Sequence, residues 1–235
     1  MPKTYKKRRA PAKKNYRKNI SSSRSLAAFS SQSAAKVFPS IKAVHFTYSD
    51  NRVITIPSGT LTPVNFRANS VYDPDIGIGG TKPRYVETLL GSNGTNAPYR
   101  RYSVLGCDCE ATIINQSDTH IYAAISMFSN QSTAPSSLDE ARERSDTIVR
   151  VIPPLGSGSA VAKLHMRRQI AKMLGVKDML DNPDMKANAE ASPLAQANCT
   201  ITVFNPYSVS TSTAAVNTRL IYDTRLFVKN DVADS

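Results

Sequence analysis

The positive charge of this chain is concentrated at one end, and this asymmetry divides the chain into two parts. The first 49 residues contain twelve Lys and Arg and no Asp or Glu, since the first acidic residue is Asp50. From Asp50 onward there are eighteen basic and eighteen acidic residues, so the net charge of +12 belongs to the N-terminal part. Such a segment attracts a polyanion, whereas a formally neutral body can associate with copies of itself without long-range repulsion.

The N-terminal part, residues 1–40, is predicted to be a disordered basic arm that binds nucleic acid. Its charged and Ser-rich composition cannot bury enough apolar area to offset the entropy of ordering. Its cations would neutralise phosphates without reading bases, so binding is expected to tolerate any sequence and to weaken with salt. The predicted nucleic-acid-binding residues are Lys3, Lys6, Lys7, Arg8, Arg9, Lys13, Lys14, Arg17, Lys18 and Arg24.

Four consecutive cations in this arm, Lys6, Lys7, Arg8 and Arg9, also match a nuclear localisation signal. The same cations can serve both roles. Host nuclear import machinery is therefore an expected partner.

Short runs of alternating apolar and polar residues predict an all-β body, residues 41–235, of about eight antiparallel strands. No βαβ rhythm is present, and no apolar run approaches the ~20 residues of a membrane span, so a sandwich or jelly roll without membrane insertion is expected. A turn is predicted at Ser49-Asp50-Asn51 and long loops at about 70–98 and 177–197. The strand patterns cover residues 41–48, 53–56, 103–113, 121–127, 148–152, 200–204 and 216–228.

Two short helices are predicted between these strands. Residues 137–145 begin with a serine followed by acidic residues, which is typical of a helix N-terminus. Residues 165–174 place Met166, Ile170 and Met173 on one helical face, and Gly175 would end that helix.

Residues with catalytic or metal-binding potential do not form a recognisable motif. Cys107 and Cys109 lie on one face of a predicted strand, and with Cys199 as the only other thiol, core packing is favoured over a zinc site. Asp73-Pro74-Asp75 is typical of a turn rather than an acid/base pair. His45, His120 and His165 are far apart and are interpreted as structural or surface residues. The sequence predicts no enzyme and no cofactor.

Several segments of the body resemble capsid proteins of circovirus-like viruses, which have circular single-stranded DNA and encode their own replication initiator. The most specific segment is residues 65–75, Asn-Phe-Arg-Ala-Asn-Ser-Val-Tyr-Asp-Pro-Asp. Residues 99–106, Tyr-Arg-Arg-Tyr-Ser-Val-Leu-Gly, are similar to a strand entry of the family. Residues 174–178 and the segment from Ile221 to the end add to the likeness.

The resemblance implies an eight-stranded jelly roll that assembles with icosahedral symmetry, about sixty copies to a T=1 shell. The basic arm would contact the single-stranded DNA genome inside, and the loops would face outward toward an unknown host receptor. The protein is expected in the virion and, during assembly, in the host nucleus. Two alternatives stay open: a satellite-type single-stranded RNA virus capsid protein, and a monomeric basic nucleic-acid-binding protein.

Overall fold

The computed structural model describes residues 39–79, 81–91, 97–207 and 210–228. Strands make up about half of this part of the chain, and its helices are short. In chain order the elements are β1 (Ile41–Ile56), β2 (Leu61–Arg67), α1 (Val86–Leu89), β3 (Arg101–Asn115), β4 (Ile121–Ser129), α2 (Leu138–Glu143), β5 (Thr147–Ile152), β6 (Val161–Gln169), α3 (Ile170–Leu174), a 3-10 helix (Pro183–Met185), β7 (Ala187–Asn188), β8 (Ala197–Phe204) and β9 (Ser212–Phe227).

Eight of the strands form two four-stranded antiparallel sheets. Sheet A has the order β1-β9-β3-β6, and sheet B has the order β2-β8-β4-β5. Apart from β4 and β5, which are neighbours in sheet B, consecutive strands of these eight lie in different sheets, and this strand order is that of a jelly roll. The two-residue strand β7 adds to β3 of sheet A. The predicted fold class, an antiparallel jelly roll, is confirmed.

The core lies between the two sheets. Alternate residues of β1 and β9 point into it, and their 16-residue pairing runs from Ile41 opposite Phe227 to Ile56 opposite Ser212. Sheet B contributes residues such as Ile125 and Ile201, both fully buried. One continuous apolar cluster therefore joins the sheets into a single body.

The predicted turn at Ser49-Asp50-Asn51 is wrong, because β1 continues through it without interruption. All three residues pair with β9, and the Arg52 side chain that follows donates to Asp50 at 2.6 Å. Sixteen consecutive pairs with β9 outweigh a local turn preference. One strand of 16 residues therefore replaces the two shorter strands predicted at 41–48 and 53–56.

The predicted helix at 165–174 is wrong in its first half. Residues 165–169 belong to β6, where His165 lies opposite Glu110 and Gln169 opposite Gly106. Only Ile170–Leu174 is helical, and Gly175 ends it with φ of 69°. The spacing of the apolar residues in this segment fits both a helix and a strand. Hydrogen bonding to β3 stabilises the extended form.

The alternation predicted within 103–113 changes phase inside β3. A bulge between Val104 and Gly106 shifts the register against β9, so that Val104 is buried and Leu105 only partly so. Beyond the bulge, Cys107 and the following odd-numbered residues to Ile113 point into the core as predicted. An extra residue in one strand reverses the faces on either side of it.

The helix predicted at 137–145 is confirmed in a shorter form, as α2. The Ser137 hydroxyl accepts a hydrogen bond from the backbone N–H of Glu140 at 3.1 Å, which caps the helix. The Glu140 carboxylate in turn accepts from the N–H and the hydroxyl of Ser136, at 2.7 and 2.8 Å. The two residues satisfy donors that the first turn would otherwise leave open.

Candidate nucleic-acid and assembly interfaces

The predicted nucleic-acid-binding residues, from Lys3 to Arg24, lie outside the described residues. The same holds for the predicted nuclear localisation signal at Lys6, Lys7, Arg8 and Arg9. Both assignments stay predictions from the sequence.

In the body, the carboxylates of the Asp73-Pro74-Asp75 segment bind two different arginines. The fully buried Asp75 carboxylate accepts from the Arg52 guanidinium and from the N–H groups of Gly77 and Ile78, at 2.8 and 3.2 Å. Asp73 accepts from Arg67 at 2.6 Å. These contacts stabilise charge that would be costly to bury unpaired. The predicted turn is displaced, because Asp75 pairs with Phe66 in an isolated β-bridge and the turn lies just after it, at residues 76–78.

The segment that carries the strongest family resemblance, residues 65–75, ties two parts of the body together. Asn69 donates to the Ala195 carbonyl at 2.7 Å and accepts from the Ala197 N–H at 3.0 Å. The Ser70 hydroxyl lies 2.9 Å from Ser192 Oγ. These side chains hold the loop before β8 against the end of β2, so the described contacts of this segment are structural.

On the outer face of sheet A, a row of carboxylates that contact arginine and histidine side chains crosses all four strands. The sequence places five of these groups on three predicted strands and the other two, His165 and Arg167, on a predicted helix, so only the register brings acids and bases opposite each other. His45 and His165 are exposed, as predicted, and each contacts a carboxylate. The contacts are His45 Nδ1–Asp223 at 3.0 Å, Arg167–Asp223 at 3.5 Å, His165 Nε2–Asp108 at 2.5 Å and Arg219–Glu110 at 3.4 Å.

The three cysteines are free and buried in the core, which confirms the predicted packing role. Burial raises the pKa of the Cys107 thiol well above its usual value. A hydrogen bond with Cys199, together with burial, does the same for the pKa of Cys109. Within the described residues, no group of three or more His, Cys, Asp or Glu side chains is placed to hold a metal ion.

Strand β1 lies at an edge of sheet A, beside a concavity of about 690 Å³. Its opposite wall is the segment from Lys82 to Tyr85. Tyr85 is 66% exposed and has φ of 69°, the only positive φ among the described residues other than glycine. The Arg84 guanidinium lies 5.3 Å from the centre of its ring. Among the described strands, only β9 pairs with β1, and the other edge of so long a strand is a surface on which a further strand can pair.

Sequence reasoning did not find this surface. Lys82-Pro83-Arg84-Tyr85 falls within a segment predicted only as a loop, and no local pattern indicates that it lies beside β1.

In the part of the chain that the structure describes, no helix is long and apolar enough to cross a membrane.

Comparison with known proteins adds matches among solved structures only. No family model matches the chain, and no curated protein matches it. Turnip yellow mosaic virus matches at 12% identity over 84% of this chain and 99% of that chain, with a TM-score of 0.40. The decameric BFDV capsid protein matches at 12% identity over 79% and 98%, with a TM-score of 0.39.

A semi-empty virus-like particle of the nodavirus from the giant freshwater prawn Macrobrachium rosenbergii matches at 9% identity, over 98% of this chain and 97% of that chain. Its TM-score is 0.43. All three TM-scores lie below 0.5, so the similarity carries no functional argument. The jelly-roll assignment rests instead on the strand order and register of the chain itself.

Proposed function

We propose that the protein is the structural capsid protein of a circovirus-like virus. About sixty copies would assemble into a T=1 icosahedral shell that packages circular single-stranded DNA. The protein would then be a component of the virion and would pass through the host nucleus during assembly. It would act by binding and enclosure rather than by catalysis.

The proposal rests on the difference in net charge between two parts of the chain. The jelly-roll body is formally neutral from Asp50 onward, and the N-terminal segment holds the entire excess of +12. Neutral bodies can pack against each other, while the cations of the segment neutralise phosphate. The resemblance of residues 65–75 to circovirus-like capsid proteins adds the expectation of single-stranded DNA.

Electron microscopy of the purified full-length protein, followed by nuclease treatment, tests the proposal. We expect closed particles whose contents are digested by DNase but not by RNase after the shell is opened. Contents sensitive only to RNase would indicate an RNA virus capsid. A monomer of the chain mass, 25.6 kDa, with no particles at any salt concentration would contradict a capsid role.

Two matched sets of substitutions separate packaging from nuclear import. Changing Lys6, Lys7, Arg8 and Arg9 to Gln, or Lys13, Lys14, Arg17 and Lys18 to Gln, removes the same charge. Each set should flatten the salt dependence of binding to single-stranded DNA by about 2.8 in log-log slope, since each phosphate contact contributes about 0.7. Only the first set should abolish nuclear accumulation of the protein. Equal loss of import in both sets would contradict the assigned signal.

A further inference from the structure

A second concavity, of about 420 Å³, lies where β4 ends, β5 begins and β6 passes into α3. Apart from Asp146, its polar lining consists of groups that donate hydrogen bonds: two hydroxyls, one amide and three cationic side chains. They are Ser129, Ser132, Arg167, Arg168, Gln169 and Lys172.

The concavity has a net positive charge, because its single acidic group is already neutralised. Asp146 accepts two hydrogen bonds from Arg144, at 2.9 Å from Nε and 2.8 Å from Nη2. The hydrogen bonds from Arg144 lower the pKa of the Asp146 carboxyl, so it stays ionised and paired. Asp146 is therefore not available to pair with the three cations of the lining.

These three cations differ in the number of contacts that they make with other protein groups. Arg167 lies 3.5 Å from Asp223. Arg168 donates one hydrogen bond, from Nη2 to the Ser145 carbonyl at 3.2 Å. Among the described residues, neither Arg168 nor Lys172 has a carboxylate within ion-pair distance. An arginine has five N–H donors, so most of those of Arg168 remain open to a ligand.

The chemistry of the lining favours phosphate over a base. Arg, Lys, Ser and Gln are the side chains that contact phosphate oxygens in nucleic-acid complexes. The only aromatic residue of the lining, Phe128, is 7% exposed and lies 5.5 Å from the Arg144 guanidinium, so its ring offers no stacking surface. A ligand here would be held by its backbone.

We propose that this concavity binds phosphodiester groups of the packaged nucleic acid, with Arg168 and Lys172 as its principal contacts. The inference rests on the proposed function and extends it from the N-terminal segment to the body. Twelve excess charges per chain in about sixty copies neutralise about 720 phosphates, whereas a coding sequence for this chain alone takes about 705 nucleotides. A genome with one further gene carries more phosphates than these charges neutralise, so other cations or basic groups of the body would balance the rest.

The test uses the full-length protein, a fluorescently labelled oligothymidylate and fluorescence anisotropy across a series of salt concentrations. The variant Arg168→Gln/Lys172→Gln should flatten the log-log slope by about 1.4, because two phosphate contacts are lost. The control Arg150→Gln/Lys177→Gln removes the same charge from two exposed positions outside the concavity, and it should leave the slope nearly unchanged. The charge-conserving variant Arg168→Lys/Lys172→Arg should retain most of the slope.

Three results would overturn the inference: an equal effect of the test and control pairs, no effect of either, or loss of binding to a heparin oligosaccharide with the oligothymidylate slope intact. The last would assign the concavity to sulfated glycans.

If the Lys6 to Arg9 set flattens the slope and the Arg168/Lys172 pair does not, only this inference fails. If the unaltered protein shows no salt-dependent binding, the proposed function fails with it. Circular dichroism and thermal denaturation establish that each variant folds.

Discussion

The two sheets share one core but present different outer faces. The outer face of sheet A is exposed to water and carries the row of carboxylates that contact histidine and arginine side chains. The outer face of sheet B is covered by α2, whose Leu138 and Ala141 pack with Ala124 and Phe204. Sheet A is therefore buried on one face, and the middle of sheet B on both.

This difference decides which strands can be recognised in the sequence. In β9, buried and exposed residues alternate along most of the strand. In β8, every residue from Cys199 to Phe204 is buried. In a strand with one solvent-exposed face, apolar and polar residues alternate along the sequence. In a strand that is covered on both faces, apolar residues form a continuous run.

The reactivity of the three cysteines tests whether the sheets open as one unit. Cys107 and Cys109 lie on sheet A and Cys199 on sheet B, all buried. Alkylation of the native protein should be about a thousandfold slower or more than in denaturant, because it needs an opening that costs most of the folding free energy. Mass spectrometry should show all three thiols modified together. Faster modification of Cys199 alone would mean that sheet B opens by itself.

Truncation of one side chain on the outer face of each sheet tests whether α2 shields sheet B from water. Phe204 on sheet B is 4% exposed under α2, while Val53 on sheet A is 65% exposed. Phe204→Ala should reduce the free energy of unfolding by about 3 to 5 kcal/mol, since it leaves a cavity. Val53→Ala should change it by about 0.5 kcal/mol or less. Urea denaturation of both variants measures this, and similar costs would mean that α2 does not protect sheet B.

Removal of the charge on Asp146 tests the contact between Arg144 and Asp146, which holds α2 in place over sheet B. Arg144 joins Asp146 to the Thr133 carbonyl, which it reaches at 2.6 Å, and its guanidinium lies over Phe128. Asp146→Asn should cost about 1 to 2 kcal/mol at neutral pH, less than a fully buried charged hydrogen bond because the pair is partly exposed.

The pH dependence of stability distinguishes this contact from a packing effect. Because the pKa of Asp146 is lowered in the folded protein, its stabilisation is fully present above the unfolded pKa and is lost as the pH falls through the folded pKa. The cost of Asp146→Asn should therefore shrink in acid. A cost that is the same at neutral and acidic pH would contradict an ionic contribution.

The row of charges on sheet A should give the smallest effect. Asp223→Asn removes the partner of both His45 and Arg167, but all three side chains are at least a third exposed. Exposed ion pairs contribute about 0 to 1 kcal/mol, and salt screens them. Thermal denaturation at low and high salt, with Glu110→Gln as the matched variant, measures this. A loss above about 2 kcal/mol would show that this face is shielded from water.

The fold class was predictable because most strands of sheet A alternate along the sequence, and the C-terminal strand pair does so clearly. Strand β2, Leu61–Arg67, was not predicted, since Pro63 interrupts its β-branched pattern. Proline is tolerated there because β2 is an edge strand. The candidate sites in the body were not predictable, because Arg168 meets Ser145 and Arg52 meets Asp75 only through the packing of distant segments.

The sequence by itself determined the separation of a cationic segment from a neutral body, the antiparallel β-class of that body and the inward face of Cys107 and Cys109. These properties are local, because charge counts and period-two alternation need no knowledge of distant neighbours. Only the tertiary structure decided that β1 runs unbroken through Asp50, that β3 reverses its faces at Leu105 and that cations gather between β4 and β6. Each of these depends on register with a strand remote in sequence, where summed pairing and burial outweigh local preference.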